Sequence, residues 1–264
     1  MSRSWWSCLA LVLAAMPLAA VGGPDAKPPT AVKPGQTWTN PKDGMEFVYV
    51  PAGAFTMGSD DEKDEEKPAH QVTLDGCWIG KTEVTIGQFR KFVKASGYQP
   101  QGKWEESGED ERLPVASVTW ADAVAYCKWA GCRLPTEAEW ERAARGADGR
   151  RYPWGKRWDP AKANTSDEGP KHATPVGTYA EGASPYGCLD MAGNVWEWCS
   201  SLHKPYPYAD GDGREDPAAE GPRVFRGGSW LYDGDHARAA YRNGAAPDYT
   251  DDNLGFRCAM SAAP

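Results

Sequence analysis

The chain has 264 residues and a formal net charge of −8, from 29 Lys and Arg against 37 Asp and Glu. This acidic balance argues against nucleic acid or an anionic membrane as the main partner. The contents of tryptophan (13 residues) and glycine (29 residues) indicate a loop-rich domain that relies on aromatic anchors and cross-links. We interpret the acidic run Asp60–Glu66 as a solvated loop rather than a cation patch.

Residues 1–22 have the pattern of a signal peptide. Arg3 supplies a positive charge, the apolar run Cys8–Ala20 is too short to span a bilayer, and small residues follow at a suitable cleavage point. An uncleaved anchor is the alternative. We therefore expect an exported protein, periplasmic or extracellular, with no transmembrane segment after cleavage. Residues 23–41 are rich in Pro, Gly and Lys and predict a flexible lead-in.

Cysteines in the rest of the chain favour disulfides, because an exported chain with an even number usually pairs them. They are Cys77, Cys127, Cys132, Cys188, Cys199 and Cys258. The spacing Cys127-x4-Cys132 is a weak zinc signal, since a structural zinc site normally has two short-spaced pairs.

Strands are predicted first along the chain. Phe47–Val50 is a β-branched and aromatic run that ends in a turn, and two more strands, Gln71–Leu74 and Cys77–Ile79, are expected on either side of Asp75-Gly76. After Gly146 the helical periodicity fades, and we expect short strands separated by long ordered loops.

Three helices are predicted between these regions by their end signals. Each begins after a Thr at the N-cap and ends near a Gly. In the first and third helices, Gln88 and Glu139 can complete a capping box from position N3. The predicted helices are Ile86–Ala95, Trp120–Ala130 and Glu137–Arg145.

Four sequence blocks carry the strongest signal. They are FVYVPAGAFTMGS (Phe47–Ser59), CRLPTEAEWERAARG (Cys132–Gly146), LDMAGNVWEW (Leu189–Trp198), and RVFRGGSW with NLGFRCA (within Arg223–Ala259). Together, roughly from Met45 to Met260, they resemble the sulfatase-modifying-factor family, whose founding activity is formylglycine generation. The resemblance implies one α+β domain over residues 42–262. Its fold would be a C-type-lectin-like variant with few helices, short strands and long ordered loops.

A calcium loop is expected between residues 190 and 197. Two carboxylates and several carbonyls surround a glycine there, and calcium takes six to eight oxygen ligands. The resemblance assigns the side chains of Asp190 and Glu197 and the carbonyls of Gly193 and Val195 as ligands. The alternative is a loop held by tryptophan packing alone.

A second calcium site is implied by the resemblance at the Asn164 side chain and the Thr165 carbonyl. The loop that supplies the remaining ligands in the family is shorter here, and Asp167 or Glu168 could complete the site.

The catalytic segment of the family is altered. Family enzymes use two cysteines to bind copper and engage the substrate thiol, because soft thiolates suit Cu(I). Counting from Ser229, these positions hold Tyr232 and Ala237, and the neighbouring family histidine is Asp233. Two family pocket residues, Ser229 and Trp196, are retained. We therefore expect no copper and no copper-dependent formylglycine activity.

Other chemistry has little support in the sequence. His236 is the only histidine near the expected pocket, and a single histidine makes a poor metal site. The resemblance implies a disulfide between Cys127 and Cys258. The other four cysteines allow three pairings, among which the sequence does not choose.

Two classes of function follow. One is a calcium-stabilised scaffold that binds a protein, peptide or other ligand through Leu231–Asp252, a stretch rich in Tyr, Asp, Asn and Arg; a structural role in an envelope complex belongs with it. The other is an atypical oxidoreductase of this family acting on a secreted peptide or siderophore-like peptide. A closed pocket lined by Trp196, Tyr232, Asp233 and His236 would favour the enzyme. Exposure of Leu231, Tyr232 and Tyr249 on a convex or flat surface would favour binding.

Overall fold

The computed structural model describes residues 27–30 and 32–262, so the predicted signal peptide lies outside the described residues. Within that part, three α-helices and ten short strands occur. The helices are α1 Ile86–Ser96, α2 Trp120–Ala130 and α3 Glu137–Arg145. The strands are β1 Thr37–Thr39, β2 Glu46–Val50, β3 Gly53–Met57, β4 His70–Leu74, β5 Cys77–Gly80, β6 Trp196–Leu202, β7 Arg223–Arg226, β8 Arg242–Ala245, β9 Leu254–Phe256 and β10 Ala259–Ser261.

The strands form three sheets, with orders β1-β2-β5-β10, β3-β4 and β8-β7-β6-β9. All pairs are antiparallel except β6 with β9. The two strands predicted around Asp75-Gly76 both form, but β4 pairs with β3 while β5 pairs with β2 and β10. The chain therefore changes sheets at this point instead of forming a hairpin. Strand β1 lies in the predicted lead-in, so the lead-in is ordered from Thr37 onward.

The helices begin and end as their capping signals predict, with α1 one residue longer at Ser96. All three have complete capping boxes, including α2, where the N–H of Thr119 donates to Asp122 Oδ2 at 3.0 Å. Asp122 also accepts from the amides of Gln101 and Gly102. A short carboxylate at N3 therefore completes the box as well as the longer side chains do, which the sequence analysis did not anticipate. None of the helices in the described residues is long and apolar enough to cross a membrane.

An aromatic core joins the first two helices to the sheet. Phe89 of α1 stacks on Tyr126 of α2 with ring centroids 6.0 Å apart, and Phe256 of β9 meets Tyr126 edge-on at 5.4 Å. All three side chains are fully buried. Rings of this size bury large areas, which suits a fold whose strands are short.

Buried charges join helix α3 to the strands in addition to its apolar contacts. Helix α3 directs Glu137 and Glu141 into the interior, and neither is exposed. Arg242 of β8 holds Glu137 through bonds of 2.7 and 2.9 Å, and Arg226 of β7 binds Glu141. Burial would raise the pKa of Glu137, but the two arginines hold it below its ordinary value. Glu137 therefore stays ionised, and the two carboxylates tie α3 to both strands.

The acidic run Asp60–Glu66 is only partly a solvated loop, which corrects the sequence interpretation. Most of its residues are exposed, but Glu66 is 1% exposed and forms a two-bond pair with buried Arg238, at 2.7 and 2.8 Å. Arg238 lies far along the chain, so no local pattern indicates this pairing.

We expect the neutral substitution Glu141→Gln to lower the free energy of unfolding by about 3 kcal/mol, because it removes the nearer of the two carboxylates that pair with buried Arg226. Urea denaturation of the purified chain measures this. The control is Arg90→Ala in the exposed pair Arg90–Glu111, which should leave stability almost unchanged. Equal effects of the two substitutions would show that the buried pair makes no net contribution.

Candidate functional site

The segment after Ser229 forms one wall of a pocket of about 290 Å³ at sheet β8-β7-β6-β9. Of the predicted pocket residues, Trp196 and Tyr232 line it, whereas Ser229, Asp233 and His236 do not. Ser229 is fully buried, and its hydroxyl donates to Asn253 Oδ1 at 3.2 Å. It therefore fixes the neighbouring loop instead of facing a ligand.

Four aromatic rings form a closed cluster beside this pocket. Tyr232 lies 5.7 Å from Trp196 and 4.9 Å from His236, and Tyr241 lies 4.9 Å from His236 and 5.8 Å from Trp196. His236 Nδ1 is 2.7 Å from Asp233 Oδ1, and this contact lowers the pKa of Asp233. His236 thus has a packing role within the cluster.

The two positions of the family's copper ligands have different environments. Tyr232 is 37% exposed and covers Trp196, which is 3% exposed. Ala237 is fully buried and packs against Gly228. A Cβ added to Gly228 would lie 3.0 Å from the Ala237 Cα. Neither side chain carries sulfur, and Ala237 does not reach the pocket.

The exposed large hydrophobic side chains of the described residues gather around this site. They are Leu231, Tyr232 and Tyr249, and the two tyrosines line the pocket. The Tyr249 hydroxyl donates to Asp251 Oδ2 at 2.6 Å, which helps to raise the pKa of Tyr249 to about 12. We call Leu231, Tyr232 and Tyr249 the aromatic rim. The three side chains are exposed, but Tyr232 and Tyr249 line a pocket rather than a convex or flat surface, so the criterion for binding is met only in part. Asp233 and His236 do not line the pocket, so the criterion for the enzyme is not met either.

Three buried carboxylates meet at the first predicted calcium site. Asp190 and Glu197 are joined by Glu83, which the sequence analysis missed because it lies more than 100 positions earlier. Arg257 is the cation that pairs with this group, and it binds Glu197 through bonds of 2.5 and 2.6 Å. Burial, and then the charges of Asp190 and Glu197, raise the pKa of Glu83 well above its ordinary value. This cluster therefore contains more acidic side chains than basic ones.

The carboxylate oxygens at this site differ in how free they are to bind a cation. Glu197 also accepts from Trp140 Nε1 at 2.7 Å, so both of its oxygens are occupied. Asp190 Oδ2 accepts from the Gly177 amide, while Glu83 Oε2 is buried without a partner. The carboxylate oxygens do not all converge within 4.8 Å, so carbonyl ligands would be needed to complete a calcium shell. The charge excess and the unpartnered oxygen suit a divalent cation.

The two predicted calcium segments lie side by side. The carbonyl of Asn164 accepts from the Asn194 amide at 2.8 Å, and a Cβ on Gly193 would lie 2.2 Å from that same carbonyl oxygen. Gly193 has φ of +79°, so both its conformation and its contact require glycine. Val195 is fully buried next to it.

The second predicted site also contains unsatisfied oxygens. Asn164 Oδ1 is buried without a hydrogen-bond partner. This oxygen and the Thr165 carbonyl oxygen both lie next to Gly169, where an added Cβ would contact them. Asp167 accepts from the Gly234 amide at 3.0 Å, whereas Glu168 is exposed. These oxygen donors fit a hard cation.

The cysteines form a grouping that the sequence did not indicate. Cys127, Cys132 and Cys258 place their sulfurs within 4.8 Å of one another, the one such cluster of potential metal ligands among the described residues. The sulfurs of Cys127 and Cys258 are 3.5 Å apart as free thiols. The disulfide between them stays a prediction. The remaining cysteines, Cys77, Cys188 and Cys199, are buried free thiols.

Comparison with known proteins identifies the family. The model of the sulfatase-modifying factor enzyme 1-like domain matches residues 33–262. The inactive C-alpha-formylglycine-generating enzyme 2 of Mus musculus is 36% identical, over 82% of this chain and 86% of that protein. The formylglycine-generating enzyme of Streptomyces coelicolor is 34% identical, over 92% and 97%.

A solved structure supports the same assignment. PvdO from Pseudomonas aeruginosa superposes with a TM-score of 0.73 at 31% identity, covering 88% of this chain and 100% of that one. The predicted α+β architecture of few helices and short strands is therefore confirmed. The chain belongs to the sulfatase-modifying-factor family, the family of the formylglycine-generating enzymes.

Proposed function

We propose that this protein is an exported, calcium-stabilised binding domain that lacks copper-dependent formylglycine activity. The observation that carries the proposal is the replacement of both copper ligands by Tyr232 and Ala237. One side chain is a partly exposed ring and the other is buried. The name of the relative from Mus musculus, which describes an inactive enzyme on this fold, supports the same conclusion.

The aromatic rim is the proposed recognition surface. Tyr232 and Tyr249 present an apolar body and a polar tip, which gives large contact areas at low entropic cost. Asp251 and Asp252 lie beside them, and Asn253 donates to both carboxylates. The fitting partner is a protein or peptide segment with one hydrophobic side chain for the pocket and neighbouring basic residues for the aspartates.

Calcium would stabilise this surface through the backbone. Backbone hydrogen bonds connect the two predicted calcium loops to the recognition segment and to the turn that precedes it. The Gly193 amide donates to the Gly227 carbonyl at 2.8 Å, and the Ser166 amide donates to the Tyr232 carbonyl at 2.8 Å. A cation bound at the unpartnered oxygen of Glu83 would neutralise the excess acidic charge of the first site. The unpartnered oxygen of Asn164 could bind a cation at the second site in the same way. We therefore propose calcium as a structural cofactor with Glu83 among the groups that hold it.

The competing function is an atypical oxidoreductase acting on a secreted peptide or siderophore-like peptide. The similarity to PvdO shows that this chain has the fold of another family member. Such an activity would need a redox centre other than positions 232 and 237. The assay described below separates the two functions.

We expect removal of calcium to lower the Tm of the mature chain and its return to restore it. Linkage gives about 2.7 kcal/mol of added stability at free calcium 100 times the Kd. Calorimetry with chelator, with calcium and with magnesium measures this. Glu83→Gln should shrink the calcium response, and Glu111→Gln, an exposed carboxylate, should leave it intact. A wild-type Tm that does not change when calcium is added or removed would contradict the proposal.

We expect no formylglycine production from a cysteine-containing sulfatase-type peptide, with or without added copper, because no thiolate lies at positions 232 and 237. Mass spectrometry of the peptide detects the aldehyde product. The Streptomyces coelicolor enzyme serves as the positive control. Turnover by the mature chain would overturn the assignment and revive the oxidoreductase.

We expect peptides selected from a displayed random library to combine a hydrophobic residue with Lys or Arg. Tyr232→Ala and Tyr249→Ala should each weaken their binding by about tenfold or more, since buried aromatic anchors contribute most to an interface. Tyr179→Ala, which removes a partly exposed tyrosine outside the rim, is the matched control. Binding that survives both rim substitutions would place recognition elsewhere.

A further inference from the structure

The pair Cys127 and Cys258 is closed to solvent in the folded chain. The two residues are 1% and 0% exposed, and their sulfurs lie 3.5 Å apart. A disulfide bond is about 2.05 Å long, so a small approach would join them. At these exposures neither residue offers its sulfur readily to an oxidant or a reductant in solution. A more exposed thiol beside the pair would therefore be the easier entry point for exchange.

The fold places Cys132 next to both sulfurs. Helix α2 ends at Gly131, whose φ of +78° turns the chain back so that the Cys132 amide donates to the Cys127 carbonyl at 2.8 Å. The next residue, Arg133, exchanges backbone hydrogen bonds of 2.9 and 2.7 Å with Ala259. Because Ala259 follows Cys258, this pairing brings Cys132 beside Cys258. The turn and the pairing together produce the three-sulfur cluster.

Cys132 is also the accessible member of the cluster. It is half-buried, and it lines a groove of about 500 Å³. The groove walls are largely apolar and include Trp120, Val124, Leu134 and Pro217. Cys127 also borders this groove, but it is only 1% exposed, so a small thiol or disulfide compound meets the Cys132 sulfur first.

The ionisation of the three thiols supports the same division. Contacts with Cys127 and then Cys258 lower the pKa of Cys132 to about 6, whereas burial raises the pKa of Cys127 and Cys258 well above the ordinary value. The thiolate is the reactive form of a cysteine. One accessible thiolate beside two buried thiols suits stepwise exchange, in which only one buried sulfur at a time has to ionise.

We propose that Cys132 is the exchange thiol through which a low-molecular-weight disulfide of the glutathione class oxidises the buried Cys127/Cys258 pair. The Cys132 thiolate attacks one sulfur of the external disulfide, whose S–S bond breaks to release one thiolate. The Cys127 sulfur, on losing its proton, attacks Cys132 and expels the second thiolate, leaving a Cys127–Cys132 bond.

The last step transfers the bond inward. Cys258 gives up its proton and attacks the Cys127 sulfur, and the Cys132 thiolate leaves. The two released thiolates take up the protons that Cys127 and Cys258 lose, so the external disulfide is reduced to two thiols, the buried pair is oxidised, and the Cys132 thiolate is regenerated. A thiol of low pKa is a good leaving group, which favours this direction of release. Reduction of the bridge by an external thiol follows the same path in reverse.

The test follows oxidation of the mature chain after phosphine reduction and removal of the phosphine. Oxidised glutathione is added near neutral pH, and acid-quenched, alkylated samples are mapped by mass spectrometry. We expect a Cys127–Cys258 bridge with Cys132 free, and a rate at least tenfold lower in Cys132→Ser. Cys199→Ser, which removes a buried thiol outside the cluster, should oxidise at the wild-type rate. Equal rates for Cys132→Ser and wild type would overturn the proposal.

Two further measurements keep the result independent of folding after reduction. Cys258→Ala should accumulate a Cys127–Cys132 bridge or a glutathione adduct on Cys132, whereas a first adduct on another cysteine would contradict the scheme. Starting from the oxidised chain, Cys132→Ser should also slow reduction by dithiothreitol. In reduced wild-type protein, alkylation of Cys132 should reach half its maximal rate near pH 6.

Discussion

The fold depends on buried ion pairs that helix α3 makes with the strands around it. Glu141 accepts from the Gly58 amide at 2.8 Å on one side and binds Arg226 of β7 on the other. Arg145 extends the network to the Gly58 carbonyl at 2.8 Å. Short strands have few ladder bonds of their own, so α3 joins the β3-β4 hairpin to the sheet that carries the pocket. Removing one partner of such a pair is costly because the other charge stays buried.

The charge balance differs between this scaffold and the candidate calcium site. In the scaffold, Glu137 and Glu141 are matched by arginines that donate to carboxylates and carbonyls, and only the Nε of Arg226 lacks a partner among the nitrogens of Arg226 and Arg242. At the candidate site, Arg257 alone faces Glu83, Asp190 and Glu197, and burial raises the pKa values of all three acids. Both regions are equally buried, so burial does not distinguish the ion-pair scaffold from the candidate calcium site. The difference is that the candidate site has too few positive charges to balance its carboxylates.

The parts of the fold that could be predicted from sequence are those set by neighbouring residues. Capping signals predict the three helices almost to the residue, because the bonds that begin and end a helix join positions three or four apart. Interactions between distant segments could not be predicted in this way. The separate sheets of β4 and β5, the pairing of Glu66 with Arg238, and the approach of Glu83 and Cys258 to their sites all depend on packing. No periodicity records such contacts.

The segment that the resemblance assigns to catalysis carries no cysteine in this chain, and the proposed exchange thiol lies elsewhere in the fold. At position 232 a tyrosine ring packs on Trp196, so the site of a family copper ligand now belongs to an exposed rim. The Cys132 groove shares no lining residue with that pocket. Its thiol depends on the turn after α2 and on the backbone pairing of Arg133 with Ala259, neither of which involves the pocket. The proposed recognition at the rim and the proposed thiol exchange at Cys132 therefore rest on separate parts of the fold, and substitutions at one site should leave the other unchanged.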